Sequence, residues 1–263
     1  MKNHDTFFVI RNANVWRGDT LALRNLSLSL SRSENVAILG ANGAGKSSLL
    51  KLMTGEVRAE ARRETICELF SEDRWSLEEL RHRLGIVMPE EVARFHTDEI
   101  AEDVVRSVFR GAYGRTGDMR FKYSEREASE TAMRDIGIGH LAKRTFGTLS
   151  SGEKRRFLIA RSLVHRPEVL VLDEPSTALD FAARLGMLNG LRKIASSTGS
   201  VVLVTHDPGE ILPEIERVIL LKEGQIVGDG TKRKILTSEA LSELYGMPLK
   251  LRWQDGWPIT RPA

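Results

Sequence analysis

The chain has 263 residues, 41% hydrophobic and 29% charged, with a net charge of +3; this is the composition of a globular protein with an ample core, and the charge is too weak to argue for a nucleic-acid partner. No apolar run approaches the roughly 20 residues needed to cross a bilayer, so direct membrane insertion is not expected. The single cysteine, Cys67, excludes an intrachain disulfide and a multi-cysteine zinc site, and reads as a small apolar filler.

The N-terminal stretch MKNHDTFFVIRNANV has neither the apolar core nor the small-residue cleavage site of a secretory leader, which makes a cytoplasmic location the expectation. Residues 7–15 and 21–30 read as strands joined by a short RGD linker suited to a hairpin. The second alternates, with Leu26, Leu28 and Leu30 on one face and Ser27, Ser29 and Ser31 on the other. Residues 35–40 (NVAILG) form a continuous apolar strand that runs through a glycine-rich turn into a helix over 46–53. Residues 84–88, 168–172 and 200–205 are apolar runs of the same kind, as a sheet buried on both faces requires. Helix-like segments separate them, and the alternation predicts an α/β domain with a largely parallel core sheet.

From about residue 97 to 164 the pattern is helical, interrupted by RGAYGRTGD at 110–118, which predicts an inserted helical subdomain. Further on, RVILLKEGQIVGDG reads as two strands turning at Glu223-Gly224, followed by short helices at 232–236 and 238–245. The tail, 247–263, is expected to form one strand and then to be loosely held.

GANGAGKS fits the phosphate-loop pattern G-x-x-x-x-G-K-[ST] and lies between a strand and a helix, the context that pattern needs. Gly40, Ala41, Asn42, Gly43, Ala44 and Gly45 can turn backbone N–H groups onto anionic oxygens, and the helix start adds its unpaired N–H groups and positive dipole end. Lys46 is expected to reach the β- and γ-phosphates and Ser47 Oγ to ligate Mg²⁺, with Ser48 beside them at the helix start. In VLVLDEP a buried strand delivers Asp173 at its C-terminal end, suited to hold Mg²⁺, and then Glu174, suited to act as the general base that polarises water. In LSSGEKRR, residues 149–156, Ser150 with Glu153 three residues on is a capping box before a helix.

In order and spacing, the phosphate loop, LSSGE, VLVLDEP, STALD (176–180) and VVLVTHD (201–207) resemble the ATP-binding-cassette (ABC) ATPases, over roughly residues 7–246. The resemblance implies a P-loop NTPase with an N-terminal antiparallel β subdomain. The nucleotide-binding lobe takes residues 1–88 and 166–246, the helical subdomain with the signature 89–165, and a tail 247–263. It implies a head-to-tail homodimer in which each ATP is sandwiched between one phosphate loop and the partner's LSSGE. Ser150, Ser151 and Gly152, with Glu153, then cap the γ-phosphate in trans. Asp180 lies at the subunit interface, and His206 contacts the γ-phosphate and orients the water, which adds it to Lys46 and Glu174 as a catalytic group. Adenine stacks on an aromatic in this family. By spacing the position falls on Arg17, with Trp16 beside it and facing the other side of the strand; either can stack, and core packing is the other reading for Trp16.

Two departures from the family pattern stand out. The signature has Ser151 and Glu153 where LSGGQ is commonest. A Mg²⁺-ligating glutamine is implied after residues 84–88, but the sequence has Pro89-Glu90-Glu91, and its two glutamines, Gln225 and Gln254, lie far downstream. Glu90 or Glu91 is the nearest replacement, since a carboxylate is a competent ligand for a hard cation; a solvated helix start is the alternative. One cassette without a membrane segment resembles the separate ATPase subunit of a bacterial importer of the iron-chelate/cobalamin or molybdate-linked type. Such a subunit lies at the inner face of the cell membrane against a permease. A soluble, non-transport cassette ATPase with a regulatory, translation-linked or DNA-linked role is the competing class.

Overall fold

The computed structural model describes residues 5–263 other than 116, 118, 198 and 199. Thr116 and Asp118 of the RGAYGRTGD interruption, and the first four residues of the N-terminal stretch, lie outside the described residues. Strands β1 (Thr6–Arg17), β2 (Thr20–Ser31) and β3 (Val36–Leu39) lead into helix α1 (Lys46–Met53), followed by β4 (Ile66–Leu69), α2 (Leu77–Arg83) and β5 (Leu84–Val87). Helices α3 (Ala101–Arg106), α4 (Tyr123–Asp135) and α5 (Ser151–Leu163) come next, then β6 (Val169–Asp173) and α6 (Phe181–Ser197). The chain continues through β7 (Val201–Thr205), β8 (Arg217–Lys222), β9 (Gln225–Thr231), α7 (Lys232–Ile235), α8 (Ser238–Tyr245), β10 (Leu249–Gln254) and β11 (Trp257–Pro262). Two compact units result: one from the chain up to Leu80 together with Ala195–Ala263, the other from Arg81–Ile194.

In the first unit, β1 lies between β2 and β4 in an antiparallel sheet. The alternation in β2 is realised: Leu26, Leu28 and Leu30 are buried while Ser27 and Ser29 face solvent. Cys67, half-buried in β4, has its thiol pushed up by burial, as suits a filler rather than a nucleophile. Strand β3, whose four residues are all fully buried, pairs in parallel with β7 on one side and β8 on the other. Strand β9 returns antiparallel on β8 through Glu223 and Gly224, both at positive φ (50° and 78°), the two-residue turn that matches strand twist. That turn reaches across the unit. Arg24 N–H donates to Gly224 O at 2.9 Å, and Gly224 N–H donates to Ala44 O at 2.9 Å.

The C-terminal tail is not loosely held. β10 and β11 form an antiparallel hairpin, anchored on α8 where Leu249 N–H donates to Ser242 Oγ (2.9 Å) and Leu251 N–H to Ser238 Oγ (3.0 Å). The Lys232 ammonium donates to the carbonyls of Leu212, Pro213 and Gly256, and the Arg233 guanidinium lies 4.0 Å over the Trp253 ring. These anchors are backbone and cation contacts, which an apolar-periodicity reading does not register.

In the second unit, β5 and β6 pair in parallel, and α5 packs on α3, α4 and β5. Its core face is the apolar run Phe157, Leu158, Ile159 and Ala160, all buried. The chain leaves β5 through a 3-10 turn, Pro89–Arg94, set against α5.

A Cβ added at Gly224 meets Ala22 O at 2.5 Å, in a backbone conformation that L side chains rarely adopt. We expect Gly224→Ala to destabilise the protein by about 1–3 kcal/mol, read as a lowered urea midpoint at unchanged m-value; an unshifted midpoint refutes the close packing of this turn.

Candidate functional site

The phosphate loop grows from the end of β3. Gly40 N–H donates to Thr205 O (3.3 Å), and Ala44 N–H to Ala41 O (3.1 Å). Gly45, at φ 104°, precedes α1 as its N-cap without a side-chain cap, and no acidic residue occupies the first turn. The helix N–H groups and positive dipole end are thus left to an anion. A side chain at Gly45 has no room, since a Cβ there meets Ala22 O at 2.9 Å. Lys46 is 7% exposed, and its ammonium donates to Gly40 O (2.9 Å) and Ala41 O (3.2 Å), which holds the charge over the loop it serves. Asn42, Gly43 and Ser47 are exposed, Ala41 is half-buried, and Ala44 and Ser48 are buried.

Two further sequence-predicted positions belong to this unit. His206 follows β7, and its carbonyl accepts the Tyr245 hydroxyl at 2.7 Å. Burial, with the Asp207 carboxylate nearby, pushes the Tyr245 phenol up, so it stays a donor at any working pH. Next to it, the Thr205 hydroxyl donates to the Glu210 carboxylate and accepts Asp207 N–H (3.0 Å). Trp16 and Arg17 are both exposed, Trp16 by 49%, so Trp16 is not a core residue. A register shift between Val15 and Trp16 leaves Ala22 of β2 as the extra residue, and Trp16 and Arg17 then pair in regular register with Leu21 and Thr20. The Trp16 indole N–H donates to Glu60 Oε2 at 3.2 Å.

The other sequence-predicted residues lie in the second unit. β6 ends at Asp173, and Glu174 follows at φ 43°. Its carbonyl accepts Thr177 N–H (3.2 Å), and its Oε2 accepts the Thr177 hydroxyl (3.1 Å). Arg155, buried in α5, donates from Nη1 to Glu174 O (2.9 Å), Pro175 O (2.9 Å) and Thr177 O (3.1 Å). Ser150 caps α5 reciprocally with Glu153: Glu153 N–H donates to Ser150 Oγ (3.3 Å), and Ser150 N–H to Glu153 Oε2 (2.8 Å). That backbone bond holds the Glu153 carboxyl below its ordinary value. Ser151 is exposed and Gly152 buried. Asp180 Oδ1 accepts Ala183 N–H (2.8 Å) at the start of α6.

The two adjacent acids after β5 diverge. Glu90 is exposed. Glu91 turns inward, accepting Met88 N–H on Oε2 (3.4 Å) and the Tyr113 hydroxyl on Oε1 (3.3 Å). The Tyr113 oxygen also accepts from Arg94 (2.6 Å), and the Arg161 guanidinium lies 5.1 Å from the ring centroid. Burial pushes the Glu91 carboxyl up, against the opposing pull of the Met88 bond and the two arginines.

The sequence profile described as ABC transporter matches residues 23–177. The uncharacterized ABC transporter ATP-binding protein YlmA of Bacillus subtilis (strain 168) is 33% identical over 262 residues, 96% of each chain. The chain belongs to the ABC transporter family. The hemin import ATP-binding protein HmuV of Photobacterium damselae subsp. damselae is 32% identical over 252 residues, 91% of this chain and 89% of that one. The solved structure of cbiO1 from Clostridium perfringens, part of the ABC transporter complex cbiONQ, matches with a TM-score of 0.75 at 26% identity, over 91% of this chain and 94% of that one. The chain is accordingly an ATP-binding, ATP-hydrolysing subunit of an ABC transporter.

Sequence reasoning passed over three residues that touch the ABC motifs. Arg155 and Thr177 lie inside quoted motif stretches, but nothing in their spacing says what they bond. Tyr245 is 39 residues from His206, and only the fold joins them.

The direction of the Glu91 shift yields a test. A carboxyl raised in the folded state means that the native chain binds more protons than the unfolded chain between the ordinary and the raised value. Stability is then full below the ordinary carboxylate range and falls as pH rises through the folded value. Glutamine keeps an acceptor for Met88 N–H without the charge. We expect Glu91→Gln to melt above the parent at pH 7, with the gap closing as pH falls into the carboxylate range; a gap independent of pH refutes the assignment.

Proposed function

We propose that this chain is the ATPase subunit of an importer, working as a head-to-tail homodimer against a membrane permease at the cytoplasmic face, with Mg²⁺-ATP as its fuel. The observation that carries this is the phosphate loop: an α1 start with no side-chain cap or acid, and a buried lysine ammonium held over it. The name of the hemin import relative supports the importer reading, and that of cbiO1 supports a subunit of a transporter complex. Among the described residues no helix is long and apolar enough to cross a membrane.

The roles follow from chemistry at each residue. The N–H groups of Asn42, Gly43 and Gly45–Ser48 take the phosphates, and Lys46 carries a charge to the β- and γ-oxygens. Trp16, exposed and tethered through its N–H to Glu60, keeps a ring face for adenine, with Arg17 as the other candidate. Glu174 takes a proton from the attacking water, and His206 orients it. Ser150, Ser151, Gly152 and Glu153 serve the partner's nucleotide, and Asp180 the subunit contact. Ser47, Asp173 and Glu90 are hard oxygen donors of the kind Mg²⁺ accepts. Among the described residues no three His, Cys, Asp or Glu side chains cluster to hold a metal ion. When bound, such an ion neutralises charge developing on the phosphoryl oxygens.

Purified protein is expected to hydrolyse ATP only with Mg²⁺ and to co-purify from native membranes with a permease. Lys46→Ala should abolish ATP binding by calorimetry; full binding by this variant sinks the site assignment, and recovery of the parent protein only in soluble or ribosomal fractions sinks the importer reading.

Glu90 is settled by a pair of variants. Glu90→Ala should raise the Mg²⁺ concentration for half-maximal turnover, with Glu90→Gln closer to the parent. Unchanged Mg²⁺ dependence in both removes Glu90 from the metal.

A further inference from the structure

One nitrogen of Arg155 gathers the turn that carries Glu174. Nη1 lies 2.9 Å from Glu174 O, 2.9 Å from Pro175 O and 3.1 Å from Thr177 O, and the residue is 8% exposed. Three carbonyl oxygens aimed at one point repel one another, and a donor that carries positive charge offsets that repulsion. The same turn enters the left-handed region twice, at Glu174 (φ 43°) and Ala178 (φ 61°), and neither is glycine. Such backbone persists only where its surroundings over-determine it. Here the determinants are the Arg155 cation inside the turn and the Thr177 N–H closing it onto Glu174 O. The aim of the Glu174 carboxylate depends on that backbone, and the Thr177 hydroxyl fixes one of its oxygens. Arg155 itself projects from the first turns of α5, five residues after the Ser150 cap, so the start of that helix and the Glu174 turn are mechanically one piece.

We propose that Arg155 is a positioning residue for ATP hydrolysis, acting through Glu174 by holding its turn and tying that turn to the start of α5. The proposal rests on the reading of Glu174 as the general base. A lysine brings the charge on a shorter, flexible stem without the planar guanidinium that aims it, so it restores only part of the geometry. A methionine of similar length removes every donor. The consequence falls on the chemical step and spares nucleotide affinity, because the carbonyls that Arg155 holds belong to the Glu174 turn and not to the phosphate loop.

The test is a double-mutant cycle on the full-length protein: Arg155→Met and Arg155→Lys, each alone and with Glu174→Gln. It is read by single-turnover hydrolysis, by KM and by calorimetric ATP binding. Arg155→Met is expected to lower the turnover rate by about tenfold or more with KM and ATP affinity within about twofold, and Arg155→Lys to fall between it and the parent. With Glu174→Gln in place, adding Arg155→Met should change the residual rate by less than about twofold, since the group it positions is gone. An equal factor in both backgrounds, or a KM rising in step with the lost rate, overturns the proposal and leaves the Glu174 reading intact. Parent-like turnover in Glu174→Gln alone overturns both. Should Arg155→Met fail to fold, the Arg155→Lys arm gives the same comparison.

Discussion

The phosphate loop is held by peptide groups that approach too closely for side chains. Three backbone segments meet at Ala22: the strand it belongs to, the loop at Gly45 and the β8–β9 turn at Gly224. A Cβ at either glycine comes within 3 Å of the same carbonyl oxygen. Hydrogen bonds from Arg24 to Gly224 and from Gly224 to Ala44 close the triangle. The loop is therefore set by strands far from it in sequence, and its N–H groups are oriented before any phosphate arrives. Preorganised dipoles of this kind bind an anion without the cost of reordering at each turnover.

Elsewhere the chain positions its polar groups by a different device. Apolar strands buried on both faces cannot carry charge along their length, so charge is delivered where each strand stops: the loop after β3, His206 after β7, Asp173 and Glu174 after β6, the double acid after β5. In the second unit arginines then hold what the strands deliver. Buried Arg155 gathers the Glu174 turn, while half-buried Arg161 and exposed Arg94 flank Tyr113, which bonds Glu91. Arg155 sits among carbonyl acceptors, which is how a guanidinium stays buried without a large penalty.

These two devices explain what could be read in advance. Helices at 46–53 and 238–245, the β8–β9 turn and the serine–leucine alternation of β2 were legible because each is a local rule: periodicity, a cap, a turn residue pair. The phosphate loop and its lysine were legible because their chemistry demands fixed spacing. The β10–β11 hairpin was not, because what fixes it is Ser242, Ser238 and Lys232 bonding main-chain atoms, which leaves no apolar pattern. Arg155 and Tyr245 were missed for the same reason, since a side chain that bonds a carbonyl carries no signature in its own neighbourhood. For Trp16 the core-packing reading failed because its position near the end of β1 leaves the ring exposed, which local spacing does not reveal.

Glu90 and Glu91 show how far identical side chains can be separated by local geometry. They sit in a 3-10 turn, where about three residues complete a turn and neighbours point about 120° apart. One therefore faces α5 and its partners while the other faces outward. Glu91 is bonded to Met88 N–H and Tyr113, and desolvation raises its proton affinity against the pull of those bonds. Its two oxygens are already engaged within its own unit, which leaves the exposed Glu90 as the acid of the pair open to a cation. Where the family pattern implies one neutral glutamine, this chain divides the work: one carboxylate seats the turn on the helix, and the other offers a full negative charge to solvent. A charged oxygen binds Mg²⁺ more strongly than an amide oxygen but is also more strongly hydrated. Any contribution of Glu90 to the metal is thus screened by ionic strength in a way that a glutamine at that position is not.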